Sequence, residues 1–280
     1  MEEIKKSYIS VLTTDSYLPG ALVVNKCLQL TKTKYPYNVL ITKNISKNVI
    51  DILHKNYIST IKVDLIVNKK LPIDHKRYMN FTKFNIFRLI QFSKIISIDL
   101  DMIITENIDH LFSKPHFSAV NAGGFIALNV ADGRNSLSTR SAIKLAAASK
   151  PLFRRQKSLN GGLIVVEPSE QIFNDIIKLS RNPNIKSSGE QSILHKYYPK
   201  LTWAKEKKLN LGYQYNMFVS YIPIATKYLG FIAIDNINDI SEKSKSEKNI
   251  KIFHYAYSKP WNKRINNKYH DLWREIYNSL

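Results

Sequence analysis

The stretch SKIISIDLDMIIT, residues 93–105, decides the fold of this chain. Its first half is an apolar, β-branched run that ends in two aspartates, Asp99 and Asp101, with one residue between them. Runs of this kind are typical of a strand buried on both faces in the middle of a parallel α/β sheet. Carboxylates fit such a strand only where it leaves the core at its carboxyl edge, which is where open α/β sheets bind ligands.

The two aspartates also predict a cation site. Carboxylates this close repel each other unless a cation lies between them or between them and a ligand. We therefore interpret Asp99 and Asp101 as ligands of a divalent ion that itself holds phosphates. An isolated Asp-x-Asp is more often a turn or a helix cap, and the buried strand is what favours the metal site. A phosphotransferase of the haloacid-dehalogenase type also ends a strand this way, but it requires Thr or Val where Ile103 stands.

A chain of 280 residues could form one large α/β domain or two small ones, and we predict a single domain spanning residues 1–280. With 44% hydrophobic and 11% aromatic residues, the chain can build a core. No window approaches eighteen uninterrupted apolar residues, and the first residues lack a signal-peptide hydrophobic region. We therefore expect a soluble, cytoplasmic protein without a membrane span. The single cysteine, Cys27, excludes an intrachain disulfide framework and a thiolate metal cluster.

The net charge of +20 is compatible with a nucleic-acid binder, a protein on an anionic membrane, or a protein that handles phosphorylated ligands. The lysines are spread along the chain, which is rich in Lys, Asn and Ile throughout, as AT-rich genomes encode regardless of function. No zinc-finger, helix-turn-helix or aromatic RNA-binding signature accompanies them. We therefore do not expect nucleic-acid binding as the main function.

Strands and helices alternate before the aspartates, as at the start of a nucleotide-binding α/β unit. The pattern predicts strands over residues 7–13, 37–41 and 60–66, and helices over residues 21–30 and 47–56. It also predicts a helix over residues 74–94, which leads into the aspartate strand and carries Lys83 on a basic face. A lysine on such a face is usually solvated, but this one could meet phosphate or hold a carboxylate.

The second half of the chain supplies two further strands that carry candidate site residues. Leu159–Val166 begins with Asn160 and two glycines, which indicates a close backbone approach to a ligand. Residues 250–254 end in His254, with Lys259 five positions further on. We also predict a strand over 119–128, a helix over 172–179 capped by Ser169, a helix from 190, an excursion or lid at 129–158 and an exposed loop at 236–249.

Taken together, these motifs resemble glycosyltransferase family 8 in its glycogenin and galactinol synthase branch. The resemblance covers residues 8 to 261 and includes the metal segment almost throughout. Its matched positions are Tyr17, Gly20 and Ala21; Thr82 and Lys83; Asp99 and Asp101; Asn160, Gly162, Pro168 and Ser169; Glu190 and Gln191; and His254, Lys259, Pro260 and Trp261. The chain departs from the family at two places. The family's glycine between the histidine and the lysine is either Ala256 here or missing, and the His-to-Lys interval is one residue shorter than in glycogenin. Glu190 stands in the place of glycogenin's aspartate.

The resemblance implies a GT-A fold, with a mixed, mostly parallel sheet flanked by helices, and a retaining transfer of a hexose from a UDP-sugar with Mn²⁺ or Mg²⁺. The implied metal ligands are Asp99, Asp101 and His254. Lys259 would hold the diphosphate, and Tyr17 with Thr13 or Thr14 would contact the uridine. The remaining implied site residues are Lys83, Asn160 and Gln191 facing the sugar, Glu190 at the sugar or acceptor, and Leu100 and Gly162 at the donor. The acceptor would be a glycan, a protein or a polyol, and the chain could pair as a homodimer. A relative that binds nucleotide-sugar or a partner protein without turnover is the alternative.

Overall fold

A computed structural model describes residues 5–121, 159–185, 189–198, 206–243, 246–256, 258–262 and 267–280. The predicted excursion at 129–158 lies entirely outside the described residues. Most of the strand predicted over 119–128 also lies outside them.

A seven-stranded mixed sheet forms the centre of the fold, in the order β3-β2-β1-β4-β7-β6-β8. Neighbours among β3, β2, β1 and β4 run parallel, whereas β7 is antiparallel to both β4 and β6. Its strands are β1 (Lys6–Leu12), β2 (Tyr37–Ile41), β3 (Ser59–Lys62), β4 (Lys94–Ile98), β6 (Ser118–Asn121), β7 (Leu159–Val166) and β8 (Asn210–Leu211). The mostly parallel sheet predicted from the sequence is confirmed.

A second sheet of three short strands lies beside the first, in the order β5-β10-β9. These strands are β5 (Met102–Ile104), β9 (Met217–Phe218) and β10 (Ile252–His254). The chain passes from β4 of the large sheet to β5 of the small one within three residues, Asp99 to Asp101. The aspartate motif is therefore the junction of the two sheets.

Six α-helices among the described residues flank the sheets: α1 (Leu18–Leu30), α2 (Lys47–Lys55), α3 (Glu170–Arg181), α4 (Glu190–Tyr197), α5 (Ile222–Leu229) and α6 (Lys268–Asn278). Side-chain caps begin several of them. Ser169 accepts a hydrogen bond from the Ile172 amide at the start of α3, as its position in the sequence predicts. In the described parts of the chain, no helix has both the length and the apolar character needed to cross a membrane.

The helix predicted over residues 74–94 is wrong in type and length. The structure has turns before residue 80 and a 3₁₀-helix, Asn80–Arg88. Residues 81–87 are all buried, so no solvated face remains. Polar side chains also bond outside the segment: Thr82 Oγ1 donates to the Ile66 carbonyl, and Asn85 Nδ2 donates to that of Asp64. These tertiary hydrogen bonds favour the tighter 3₁₀ turn over a regular α-helix.

The third strand is also shorter than predicted, since it ends at Lys62 instead of residue 66. The shortening is consistent with its position, because among the strands that the structure describes β3 lies at the edge of the sheet and pairs with β2 alone. Once β2 ends at Ile41, the ladder has few backbone partners left for later residues.

Candidate active site

Backbone hydrogen bonds hold the turn between β4 and β5 at both ends. The Asp99 amide donates to the Gly162 carbonyl of β7 at 2.9 Å, and the Tyr255 amide donates to the Asp101 carbonyl at 2.8 Å. One end is thus tied to the large sheet and the other to the segment that follows β10. The two carboxylates are placed by the sheet junction itself, which makes their positions rigid.

The residues predicted as metal ligands come together in space. Asp99, Asp101 and His254 each offer a ligand atom, and these atoms lie within 4.8 Å of one another. His254 Nε2 is 3.4 Å from Asp101 Oδ2. Two carboxylate oxygens and one imidazole nitrogen form a donor set that suits a divalent ion such as Mn²⁺, since carboxylates favour hard cations and imidazole adds a nitrogen ligand. The group therefore could hold a metal ion.

Two lysines pair with these carboxylates. Lys83 Nζ lies 2.5 Å from Asp99 Oδ1 and donates to the Gly161 carbonyl at 2.5 Å, and its side chain is buried. Lys83 therefore holds a carboxylate, one of the two functional roles that the sequence leaves open. Lys259 pairs with Asp101.

Burial of the Asp101 carboxyl opposes its ionisation, but His254 and Lys259 outweigh this effect through charge and hydrogen bonds. The pKa of Asp101 consequently lies well below its usual range. The carboxylate is therefore ionised, and available as a ligand, throughout the physiological pH range.

A cleft of about 690 Å³ opens at this edge of the sheet. Most of the predicted donor residues line it, namely Thr13, Thr14, Tyr17, Lys83, Asp99, Leu100, Asp101, Glu190, His254 and Lys259. Tyr17 packs edge-on against Trp261 with ring centroids 5.3 Å apart. The pKa of Tyr17 is raised by burial first, with Lys259 opposing and the aspartates adding to it. Its hydroxyl therefore stays protonated and can donate a hydrogen bond.

Three predicted residues lie behind the cleft instead of in its described walls. The Asn160 Oδ1 oxygen accepts the Gly162 amide at 2.8 Å. A Cβ at Gly162 would lie 2.4 Å from Met102 Cε and 3.0 Å from His254 Cε1, so a side chain here would force Met102 to move beside the site. Gln191 Cγ lies 3.2 Å from where a Cβ would stand on Gly161. Both glycines of the Asn-Gly-Gly motif thus permit close packing.

Glu190 stands at the start of α4 and lines the cleft near Lys83. Burial raises the pKa of Glu190, Lys83 opposes this shift, and Asp99 adds to it. Asn80 Nδ2 donates to Glu190 Oε2 at 3.1 Å, which fixes the carboxyl group. The sequence motifs do not single out Asn80 or the other cleft residues Lys76 and Arg77.

Sequence reasoning also missed Asn216, which directly precedes β9 and is fully buried. Asn216 Oδ1 lies 2.7 Å from His254 Nδ1, and its Nδ2 donates to Asn160 Oδ1 at 2.8 Å. No local signal marks this residue, because its role depends on the pairing of β9 with β10.

The mixed sheet, whose central strand ends in Asp-x-Asp at the cleft, has the GT-A fold of solved glycosyltransferase structures. The model of Glycosyl transferase family 8 matches residues 8–264, and the chain belongs to that family.

Individual relatives agree with this assignment. The chain is 29% identical to an uncharacterized protein of Acanthamoeba polyphaga mimivirus, over 98% of this chain and 94% of that one. It is 24% identical to glycogenin-1 of Mus musculus, over 93% of this chain and 67% of glycogenin-1. The solved structure of the galactosyltransferase LgtC with donor and acceptor sugar analogs has the same fold, with a TM-score of 0.58 at 14% identity, over 98% and 96% of the two chains.

Proposed function

We propose that this chain is a retaining hexosyltransferase that transfers a hexose from a UDP-sugar in the presence of Mn²⁺ or Mg²⁺. Glucose and galactose are the sugars that we favour. The acceptor would be a glycan, a protein or a polyol. The observation that carries this proposal is the group formed by Asp99, Asp101 and His254, whose ligand atoms lie within 4.8 Å of one another at a cleft of nucleotide-sugar size.

In this proposal Asp99, Asp101 and His254 hold the cation, and Lys259 binds the diphosphate. A bound Mn²⁺ would offset the negative charge of the diphosphate and of the departing UDP. Burial of the Lys259 ammonium opposes its charge, but the adjacent Asp101 carboxylate outweighs burial and raises the pKa of Lys259. Lys259 is therefore cationic at neutral pH and suited to a phosphate oxygen.

Tyr17 with Thr13 or Thr14 would bind the uridine, because all three residues line the cleft just after β1 and the Tyr17 ring packs on Trp261. Lys83 would orient Asp99 and, with Glu190, face the transferred sugar. Asn160 and Gln191 lie one layer deeper, and we propose that they complete the sugar side of the site. The raised pKa of Glu190 would favour a carboxyl that can keep its proton and donate to a hydroxyl of sugar or acceptor.

A relative that binds the donor without turnover is the second candidate. This candidate is supported by the segment between His254 and Lys259, which is one residue shorter than in glycogenin. In this segment Ala256, instead of a family glycine, lines the cleft. A side chain there changes the backbone surface offered to the diphosphate. The pairing of Lys259 with Asp101 favours the catalytic candidate, because the shorter interval still brings this lysine to the site.

The first experiment measures UDP release over a panel of UDP-sugars, with Mn²⁺ and with EDTA. Metal-dependent release from one donor supports the hexosyltransferase and names its sugar. Absence of release from every donor, together with Mn²⁺-dependent binding of UDP in calorimetry, supports the binding-only relative. Absence of both release and binding contradicts both candidates.

Asp101→Asn tests the metal group without changing side-chain size. We expect a loss of UDP release of about 10²- to 10³-fold, as for the removal of one preorganised electrostatic contact. Asp235→Asn is the matched control, since Asp235 pairs with Lys268 at the surface, and it should leave release unchanged. Equal release from Asp101→Asn and the unmodified chain would contradict the proposed site.

A further inference from the structure

Two side-chain amides stand in line behind the candidate metal ligand His254. Asn216 Oδ1 lies 2.7 Å from His254 Nδ1. Asn216 Nδ2 donates a hydrogen bond to Asn160 Oδ1 at 2.8 Å. Asn160 Oδ1 also accepts the Gly162 amide at 2.8 Å. Asn216 is fully buried and Asn160 nearly so. Because both amides are buried, these hydrogen bonds replace those that water would otherwise make to them.

The backbone sets the direction of every hydrogen bond in the row. The Gly162 amide can only donate, so the Asn160 atom that faces it must be the acceptor oxygen. That same oxygen faces Asn216, which must therefore present its Nδ2 group. Asn216 then has only its oxygen left for His254, and His254 Nδ1 must carry a proton to bond to it. No choice of amide orientation remains open.

The consequence falls on the opposite nitrogen of the imidazole ring. A neutral imidazole carries one proton, and when this proton is on Nδ1 the lone pair is on Nε2. Nε2 is the nitrogen that faces Asp101 Oδ2 at 3.4 Å. The row thus directs the metal-binding lone pair of His254 toward the two aspartates.

We propose that Asn216 is a positioning residue, which selects the tautomer and ring orientation of His254 and links this ligand to Asn160. This inference rests on the proposed function, because it assumes that His254 binds a cation. The pairing of strands supports it: β9 starts one residue after Asn216 and lies parallel to β10, with His254 opposite Phe218. The Phe218 ring packs edge-on against the His254 ring at 4.9 Å and restricts its rotation.

Metal affinity tests the proposal through three variants in the full chain. Asn216→Ala removes both hydrogen bonds and should weaken Mn²⁺ binding by about 10- to 100-fold in calorimetry. Asn216→Asp keeps an acceptor for His254 Nδ1 and should bind Mn²⁺ at least about tenfold more tightly than Asn216→Ala, since carboxylate–histidine pairs support metal ligands. Asn38→Ala is the matched control: Asn38 is buried and donates to Ser7 Oγ at 2.8 Å, and neither of these two residues lines the cleft.

The control separates positioning from general stability. Loss of stability in both alanine variants, with loss of Mn²⁺ affinity in Asn216→Ala alone, supports the proposal. Unchanged Mn²⁺ affinity in Asn216→Ala, or equal losses in Asn216→Ala and Asn38→Ala, would overturn it.

A second measurement needs no metal and no activity. In ¹⁵N NMR of the metal-free chain at alkaline pH, neutral His254 should carry its proton on Nδ1, and Asn216→Ala should shift it toward the Nε2 form. His254→Gln identifies the signal. A predominant Nε2–H form in the unmodified chain would refute the row. Failure of Mn²⁺ binding with the Nδ1–H form present would instead refute the proposed function and leave the hydrogen-bonded row established.

Discussion

Gly20 is the place where a single added methyl group should reveal how tightly the site is built. It lies in the first turn of α1, directly against the aspartate turn. A Cβ on Gly20 would stand 2.3 Å from the Leu100 carbonyl oxygen, 3.0 Å from its carbon and 3.1 Å from Trp261 Cη2. Leu100 lies between the two aspartates, so the obstacle is backbone of the site itself.

Two effects of Gly20→Ala on stability have opposite signs. Helix propensity favours alanine over glycine by about 1 kcal/mol. Against this, the contact with Leu100 must open by about 0.7 Å to reach 3.0 Å, the lower limit for real Cβ contacts. The turn cannot yield easily, because one end is hydrogen-bonded to β7 and the other to the segment that follows β10. Overpacking of this kind costs about 1–3 kcal/mol, more when rigid backbone is the neighbour, so we expect a net destabilisation.

The assay is urea unfolding together with UDP release. We expect a lower midpoint for Gly20→Ala and a fall in UDP release of up to about 10²-fold, since a displacement near 1 Å at reacting groups has that effect. Gly212→Ala is the control. The three atoms nearest to its Cβ would all belong to the Gln214 side chain, the first at 2.1 Å, and the end of this flexible side chain can move away. Gly212→Ala should change stability by less than about 0.5 kcal/mol. A Gly20→Ala chain as stable as the unmodified one, with unchanged release, would refute the close approach.

Three other predictions concern groups outside the cleft. Lys251→Met should destabilise the chain by about 3–5 kcal/mol in urea unfolding, because it removes the ammonium group that lies 2.6 Å from the buried Glu106 carboxylate. Addition of Glu106→Gln should restore much of this loss. Equal stability of the single and double variants would contradict the pairing. Burial raises the pKa of the Cys27 thiol from 9.0 to about 12. Iodoacetamide at pH 8.5 should therefore label one thiol per chain in urea and almost none in the native protein. Rapid labelling of the native protein would show that Cys27 is accessible. Because unfolding restores the ordinary thiol pKa, this contribution to stability is complete below pH 9 and is lost as the pH rises toward 12. Trp273→Ala should lower the free energy of unfolding by about 3–5 kcal/mol in the same assay. It should also weaken UDP binding, since Trp273 packs on Trp261 with ring centroids 5.7 Å apart. Loss of stability without a change in UDP affinity would show that the packing of α6 does not support UDP binding.

Most elements close to the site were predictable because their signals are local. The apolar run before Asp99 and the Asn-Gly-Gly segment at the start of β7 each indicate a strand within a few residues. Both strands lie where predicted. The segment at 74–94 was not predictable in type, because its burial on every face and its hydrogen bonds to residues 64 and 66 come from other parts of the chain. The roles of Asn160 and Gln191 at the sugar stay predictions.

The sequence by itself determined the α/β class, the candidate metal group of Asp99, Asp101 and His254, and, through ordered motifs, the family. Hydrophobic periodicity and motif spacing are properties of neighbouring residues, so they can be interpreted without the fold. Only the tertiary structure decided that Lys83 holds Asp99, that Lys259 pairs with Asp101 across 158 positions, and that Asn216 stands behind His254. Such pairings depend on which strands lie side by side and in what register, and no local pattern encodes that information.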